Sequence, residues 1–121
     1  MVKGPGANLK AVNLRKTETR IQAIMARLPA ARMTRTDAAL VKREFEHAAG
    51  LLQHACRHGI ARLQGKDRAI DRIPKAARRQ LASDMERLCN GHRKVWLARN
   101  RPGGLNDSLW RLRALAAKYK G

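Results

Sequence analysis

Aromatic residues are nearly missing from this chain. In 121 residues there are only Phe45, Trp96, Trp110 and Tyr119. A core built without aromatics must come from Leu, Ile, Ala and Met, a choice suited to packed helices. Cysteine is equally scarce. Cys56 and Cys89 stand 33 positions apart and neither belongs to a CxxC pair, which argues against a disulfide framework or a zinc knuckle. Both fall in helical patterns, so buried free thiols are expected. No apolar run approaches the roughly 18 residues a membrane-spanning helix needs. The opening residues, Met1 to Gly6, lack an apolar signal segment, which makes the cytoplasm the default expectation. Acidic residues are few, nine against 27 basic ones, for a formal net charge of +18.

That charge draws polyanions such as nucleic acid, acidic lipid or anionic glycan. Arg outnumbers Lys 18 to 9 and Ala is abundant, so compositional bias explains much of the charge equally well. Hydrophobic residues make up 44%, enough for one helical domain with its own core. The predicted organisation is a flexible basic arm over 1–12 and a single soluble helical domain over 13–121.

Residues 13–28 read as a first helix. Asn13 is the expected cap, Ile21, Ile24, Met25 and Leu28 share a face, and Pro29 stops the helix. Thr36 opens a second helix with Asp37 in its first turn. Val41, Phe45, Ala48, Leu52, Ala55, Gly59 and Leu63 recur at steps of four and three, which predicts one apolar stripe facing the core. Gly59 marks either a close helix crossing or an early stop. A loop at Gly65-Lys66-Asp67 and a short helical turn within 66–73 lead to Pro74, which suits the first turn of a third helix. Its stripe is Ala77, Leu81, Met85, Leu88, His92, Val95 and Arg99, with Trp96 beside it.

Residues 96–108 are the most informative stretch. The third helix should end near Asn100, because Pro102 cannot continue it and Gly103 and Gly104 allow positive φ. Asn106 is the expected cap of a last helix, with Leu105 before it and Trp110 after it as a hydrophobic staple. Leu105, Leu109, Leu112, Ala116 and Tyr119 trace its stripe. No strand alternation or internal repeat is present. The predicted fold is all-α: a small antiparallel bundle of three main helices, with the N-terminal helix as a fourth.

Chemistry is harder to find. His54 and His58, one turn apart with Cys56 between them, have the spacing to hold a divalent ion weakly, yet no third ligand is evident. Solvent-facing histidines on a polar stripe are the expectation. Glu44, Glu46, Asp84 and Glu86 are expected in exposed ion pairs of small value. Gly103-Gly104 before a helix start reads as a plain turn rather than an anion cradle. Ser83 and Ser108 carry no signature of an activated nucleophile. No metal or cofactor site is expected. Candidate polyanion contacts are Arg15, Lys16, Arg20, Arg78, Arg79, Arg111 and Arg113, spread over several helices rather than gathered on one reading element.

Two stretches resemble one family. The first runs from Glu44-Phe45-Glu46-His47 through Gly50-Leu51-Leu52-Gln53-His54 to Leu63. The second is His92-Arg93-Lys94-Val95-Trp96-Leu97-Ala98-Arg99-Asn100-Arg101-Pro102-Gly103-Gly104-Leu105-Asn106-Asp107-Ser108. Both resemble the helical C-terminal region of bacterial family 20 glycoside hydrolases, the β-N-acetylhexosaminidase group, over about residues 36–117. In that family, catalysis belongs to a (β/α)₈ barrel with an adjacent Asp-Glu pair. This chain has no Asp-Glu dipeptide and no room for a barrel, so the resemblance carries over no catalytic residue. What it implies is a non-catalytic accessory domain that packs against a parent catalytic domain or protein partner. The other reading, from charge, is a small basic nucleic-acid-binding protein.

Overall fold

The computed structural model describes residues 9–28, 38–99 and 104–121. Four helices carry the fold: α1 (Ala11–Ala26), α2 (Ala38–Gln64), α3 (Lys75–Arg99) and α4 (Leu105–Lys120). Two 3₁₀ turns, Lys66–Arg68 and Ile70–Arg72, join α2 to α3. No strand occurs among the described residues, and no helix there is long and apolar enough to cross a membrane. Residues 1–8 of the expected arm, the stop at Pro29, the start at Thr36 and Asp37, and the turn residues Asn100, Pro102 and Gly103 lie outside the described residues.

Helix α1 begins two residues before its expected start. Lys10, extended at φ −123° and ψ 138°, precedes the first turn and gives no side-chain cap. Asn13 is therefore not the cap. It lies inside the helix, where its carbonyl accepts the Thr17 hydroxyl at 3.0 Å. Ile21, Met25 and Leu28 are half-buried, whereas Ile24 is 62% exposed and drops out of the predicted face.

Helix α3 follows its predicted stripe closely. Leu81, Met85 and Leu88 are buried, with Ala77, His92 and Val95 half-buried around them, while Arg99 is exposed at the far end. Pro74 sits just before the helix, and its carbonyl takes the Arg78 amide at 3.0 Å. In α4, Leu105, Leu109, Ala116 and Tyr119 are buried. The main core joins Ile73, Leu81, Ala82, Met85, Leu88, Ala116 and Tyr119, with Leu51 and Ala61 of α2 packed on it. Each large aliphatic side chain buried this way contributes about 1.5–3 kcal/mol. Both cysteines are free; Cys56 is buried and Cys89 half-buried.

Helix α2 departs most from expectation. Of its predicted stripe, Phe45, Ala48, Leu52 and Ala55 are exposed. The reason is that α2 packs on two sides. At 100° per residue, His47, Leu51, His54, His58 and Ala61 form a strip that meets α3 and α4. Ala49 and Cys56 are buried on the opposite side, where α1 lies and Glu18 pairs with Arg57 at 2.9 Å. The Phe45–Ala55 stripe falls between these faces. Toward its ends Val41 and Leu63 are half-buried, and so is Gly59. A Cβ built there would stand 2.8 Å from Leu14 Cδ1, so this glycine marks a close crossing, and the helix continues to Gln64.

Contacts between helices fall in opposite sequence order. Along α2 and α3, Glu44 meets Arg99, His47 meets His92, Gly50 meets Leu88 and His54 meets Asp84. Along α3 and α4, Trp96 meets Gly104, His92 meets Ser108 and Glu86 meets Lys120.

Candidate functional site

Two polar chains run through the junction of α2, α3 and α4. In the first, His54 Nδ1 lies 2.7 Å from Asp84 Oδ2 and His54 Nε2 lies 2.8 Å from the Tyr119 hydroxyl. His58 Nδ1, one turn along α2, reaches the same hydroxyl at 2.6 Å. With His54 Nδ1 as the donor and Nε2 as the acceptor, the chain closes in a single order. His54 Nδ1–H donates to Asp84, the Tyr119 O–H donates to His54 Nε2, and His58 Nδ1–H donates to the Tyr119 oxygen. Burial, the nearby Arg62 guanidinium and His54 push the pKa of His58 down to about 4, consistent with a neutral ring. Burial and the Asp84 carboxylate push Tyr119 well above the ordinary phenol range. Burial alone would raise Asp84. Hydrogen bonds from His54 and Arg87, with the charge of Arg87, outweigh it and hold the carboxyl below its usual value.

This arrangement corrects two expectations. His54 and His58 do not face solvent: His54 is 2% exposed and His58 half-buried. Asp84 is not a mere surface partner, because its side chain is 14% exposed and takes both His54 and Arg87. The sequence signal was present but easily passed over. Asp84 follows Leu81 by three positions on the apolar side of α3, and a carboxylate there needs a buried partner.

In the second chain, His47 Nε2 lies 3.0 Å from His92 Nδ1, and His92 Nε2 lies 2.6 Å from Ser108 Oγ. The Trp96 ring covers His92 at 5.8 Å between centroids. Burial lowers the pKa of both imidazoles, and His92 adds to the effect on His47. Ser108, which carries no signature of an activated nucleophile in the sequence, thus has an imidazole at hydrogen-bond distance. No group of three or more His, Cys, Asp or Glu placed to hold a metal occurs among the described residues.

The predicted corner is present in part. Trp96 is half-buried, Gly104 adopts φ 85° and a Cβ there would stand 3.4 Å from Trp96 Cζ2. The expected staple and cap are wrong. Helix α4 starts at Leu105, one residue after Gly104, so Asn106, itself exposed, lies in its first turn and caps nothing. Leu105 is buried as the first helical residue, and Leu109, 1% exposed, takes the inward position one turn on. Trp110, about 100° further round the helix, is 68% exposed.

The basic candidates divide between separate places. Arg15, Lys16 and Arg20 are exposed on α1, where Lys16 and Arg20 flank a shallow cleft. Arg111 and Arg113 are exposed on α4. Arg78 and Arg79 stand apart from these, beside Lys75 and Lys120, around a cavity of about 450 Å³. Four carboxylates are engaged: Glu44 with Arg99, Glu86 with Lys120, Glu18 with Arg57, and Asp84 as above. Compared with protein-family models, curated proteins and solved structures, the chain matches none.

Proposed function

We propose that this chain is a non-catalytic helical packing domain, an antiparallel bundle of three main helices with α1 added, and that it docks through the outward side of α2. One observation carries this reading. The middle of the long apolar repeat of α2 faces solvent, with Phe45 55% and Leu52 58% exposed and Ala48 and Ala55 between and beyond them. A helical face of that composition gains free energy when another apolar surface covers it. The opposite sequence order of the interhelical contacts supports the antiparallel arrangement. The pairing of Glu18, Glu44, Asp84 and Glu86 with Arg, Lys and His supports a non-catalytic role, since glycoside hydrolysis needs two carboxyl groups facing one cleft. The resemblance to the family 20 C-terminal region, which includes this part of α2, suggests a parent catalytic barrel as the partner.

The test is to mix the chain with a family 20 catalytic barrel stripped of its own C-terminal helices. A complex is expected, and Phe45→Glu with Leu52→Glu should abolish it while leaving the circular dichroism unchanged. Release of chromophore from a β-N-acetylglucosaminide by the isolated chain would refute the non-catalytic role. A second reading, nucleic-acid binding, is favoured by the exposed Arg15, Lys16 and Arg20 on α1 and by the four cations around the α3–α4 cavity. Duplex affinity that falls steeply from low to physiological salt is its expected mark, and no binding at low salt would sink it.

A further inference from the structure

We infer that the cavity between the start of α3 and the end of α4 is a binding site for a phosphate or diphosphate group of a small phosphorylated ligand. The cavity, about 450 Å³, is lined by Lys75, Arg78 and Arg79 from the first turns of α3, by Ser83 and Glu86 one to two turns further on, and by Lys120 at the end of α4. Four cations face one carboxylate there. Glu86 is engaged with Lys120, which leaves the three α3 cations without an acidic partner among the described residues.

Arg78 distinguishes this place from the other basic surfaces. Its side chain is half-buried, its Nε is sealed from solvent and meets no hydrogen-bond acceptor, and the side chain takes part in no ion pair or hydrogen bond among the described residues. Its guanidinium packs beside the backbone of Gly121, where an added Cβ would stand 3.4 Å from Nη1. Withdrawing a guanidinium from water without a partner is unfavourable. An anion in the adjoining cavity relieves that cost through the exposed edge of the fork.

Two further features select phosphate over a monovalent anion. Guanidinium forks match tetrahedral oxyanions with paired hydrogen bonds, and Arg78 and Arg79 are adjacent. No acidic residue occupies the first turn of α3, so its unpaired amides and the positive end of its dipole add to the attraction. The volume lies within the range of small-ligand sites and exceeds what a single chloride fills. This inference is independent of the α2 docking face, which lies on other residues.

Titration of the full chain with pyrophosphate, followed by ¹⁵N chemical shifts, tests it. Saturable shifts are expected at the amides of residues 75–79 and at Arg78 Nε–H, with inorganic phosphate weaker and chloride at matched ionic strength without effect. Arg78→Gln should weaken pyrophosphate binding by about tenfold or more, the scale of one lost charge-assisted hydrogen bond. Arg79→Gln, an exposed position where the fold is not at stake, should show a loss of the same direction. Arg111→Gln, on another face, should bind like the parent. Non-saturating shifts spread over the basic residues of α1 and α4, or unchanged binding in both Arg78→Gln and Arg79→Gln, would overturn the proposal.

Discussion

Replacing Tyr119 by Phe isolates the polar chain at the centre of the bundle. The phenyl ring stays, so no cavity opens and the apolar burial of a residue 2% exposed is kept. Only the hydroxyl goes, and with it the bonds to His54 Nε2 at 2.8 Å and His58 Nδ1 at 2.6 Å. His54 is as buried as Tyr119, so its orphaned nitrogen bears a full desolvation penalty of about 1–3 kcal/mol. His58 is half-buried, and water reaching its Nδ1 limits that second loss to about 1 kcal/mol. The expected total is about 2–4 kcal/mol, a large share of the stability of a domain this size. Urea unfolding at pH 7.5, followed by circular dichroism, reads it as a lowered midpoint with an unchanged slope. The double variant Tyr119→Phe with His58→Leu should cost less than the sum of the two single changes, because it removes both members of one bond. A loss below about 0.5 kcal/mol in Tyr119→Phe would refute the reasoning, since it would mean that the hydroxyl makes no bonds that water does not replace.

The pH dependence of stability should follow the histidines. His58, at about 4 in the folded chain against an ordinary 6.5, binds its proton more readily when unfolded. Stability is therefore full above about pH 6.5 and falls as pH drops toward 4, with His47 and His92 adding in the same direction. Asp84, lowered in the folded chain, extends the loss to still lower pH, and midpoints that rise between pH 7 and 4.5 would contradict this. Leu109→Ala should destabilise by about 2–5 kcal/mol, while Trp110→Ser should stay within about 0.5 kcal/mol of the parent; equal effects in thermal melts would mean that the start of α4 is misassigned. Gly104→Val should cost about 1–3 kcal/mol, because φ 85° is strained for a β-branched residue. An unchanged melting temperature would show that the corner tolerates another backbone path.

How well the sequence foretold each helix depended on how many separate sides that helix buries. Helices α3 and α4 bury essentially one side each, so Leu81, Met85 and Leu88, then Leu109, Ala116 and Tyr119, could be read directly from the spacing of apolar residues. Helix α2 buries two sides, and both are lined mainly by small or polar residues: Ala49 and Cys56 on one, His47, His54 and His58 with the single large apolar Leu51 on the other. Apolar periodicity then pointed to the stripe that is left over. The histidine chain stayed hidden because its members lie up to 65 positions apart and each looks polar alone; only Asp84, beside an apolar stripe, hinted at it. The start of α4 was misplaced because Asn106 is a good cap by chemistry, whereas Gly104 in the left-handed region and Leu105 at the first helical position settled the boundary by packing. The gathering of Lys75, Arg78, Arg79 and Lys120 depends on α4 ending beside the start of α3, which no local pattern encodes.

The place of α1 has a kinetic consequence. This helix has no buried residue of its own, yet it covers the side of α2 that holds Cys56. A segment with few apolar contacts opens at a lower free energy than the main core, and when α1 lifts, Cys56 meets solvent while α3 and α4 remain closed. Cys56 is otherwise protected by burial, which together with Glu18 raises its thiol pKa. Its modification by a thiol reagent therefore measures how often α1 detaches, and Cys89, half-buried on α3, provides an internal clock that does not depend on that event. The two cysteines report on separate opening events of one chain.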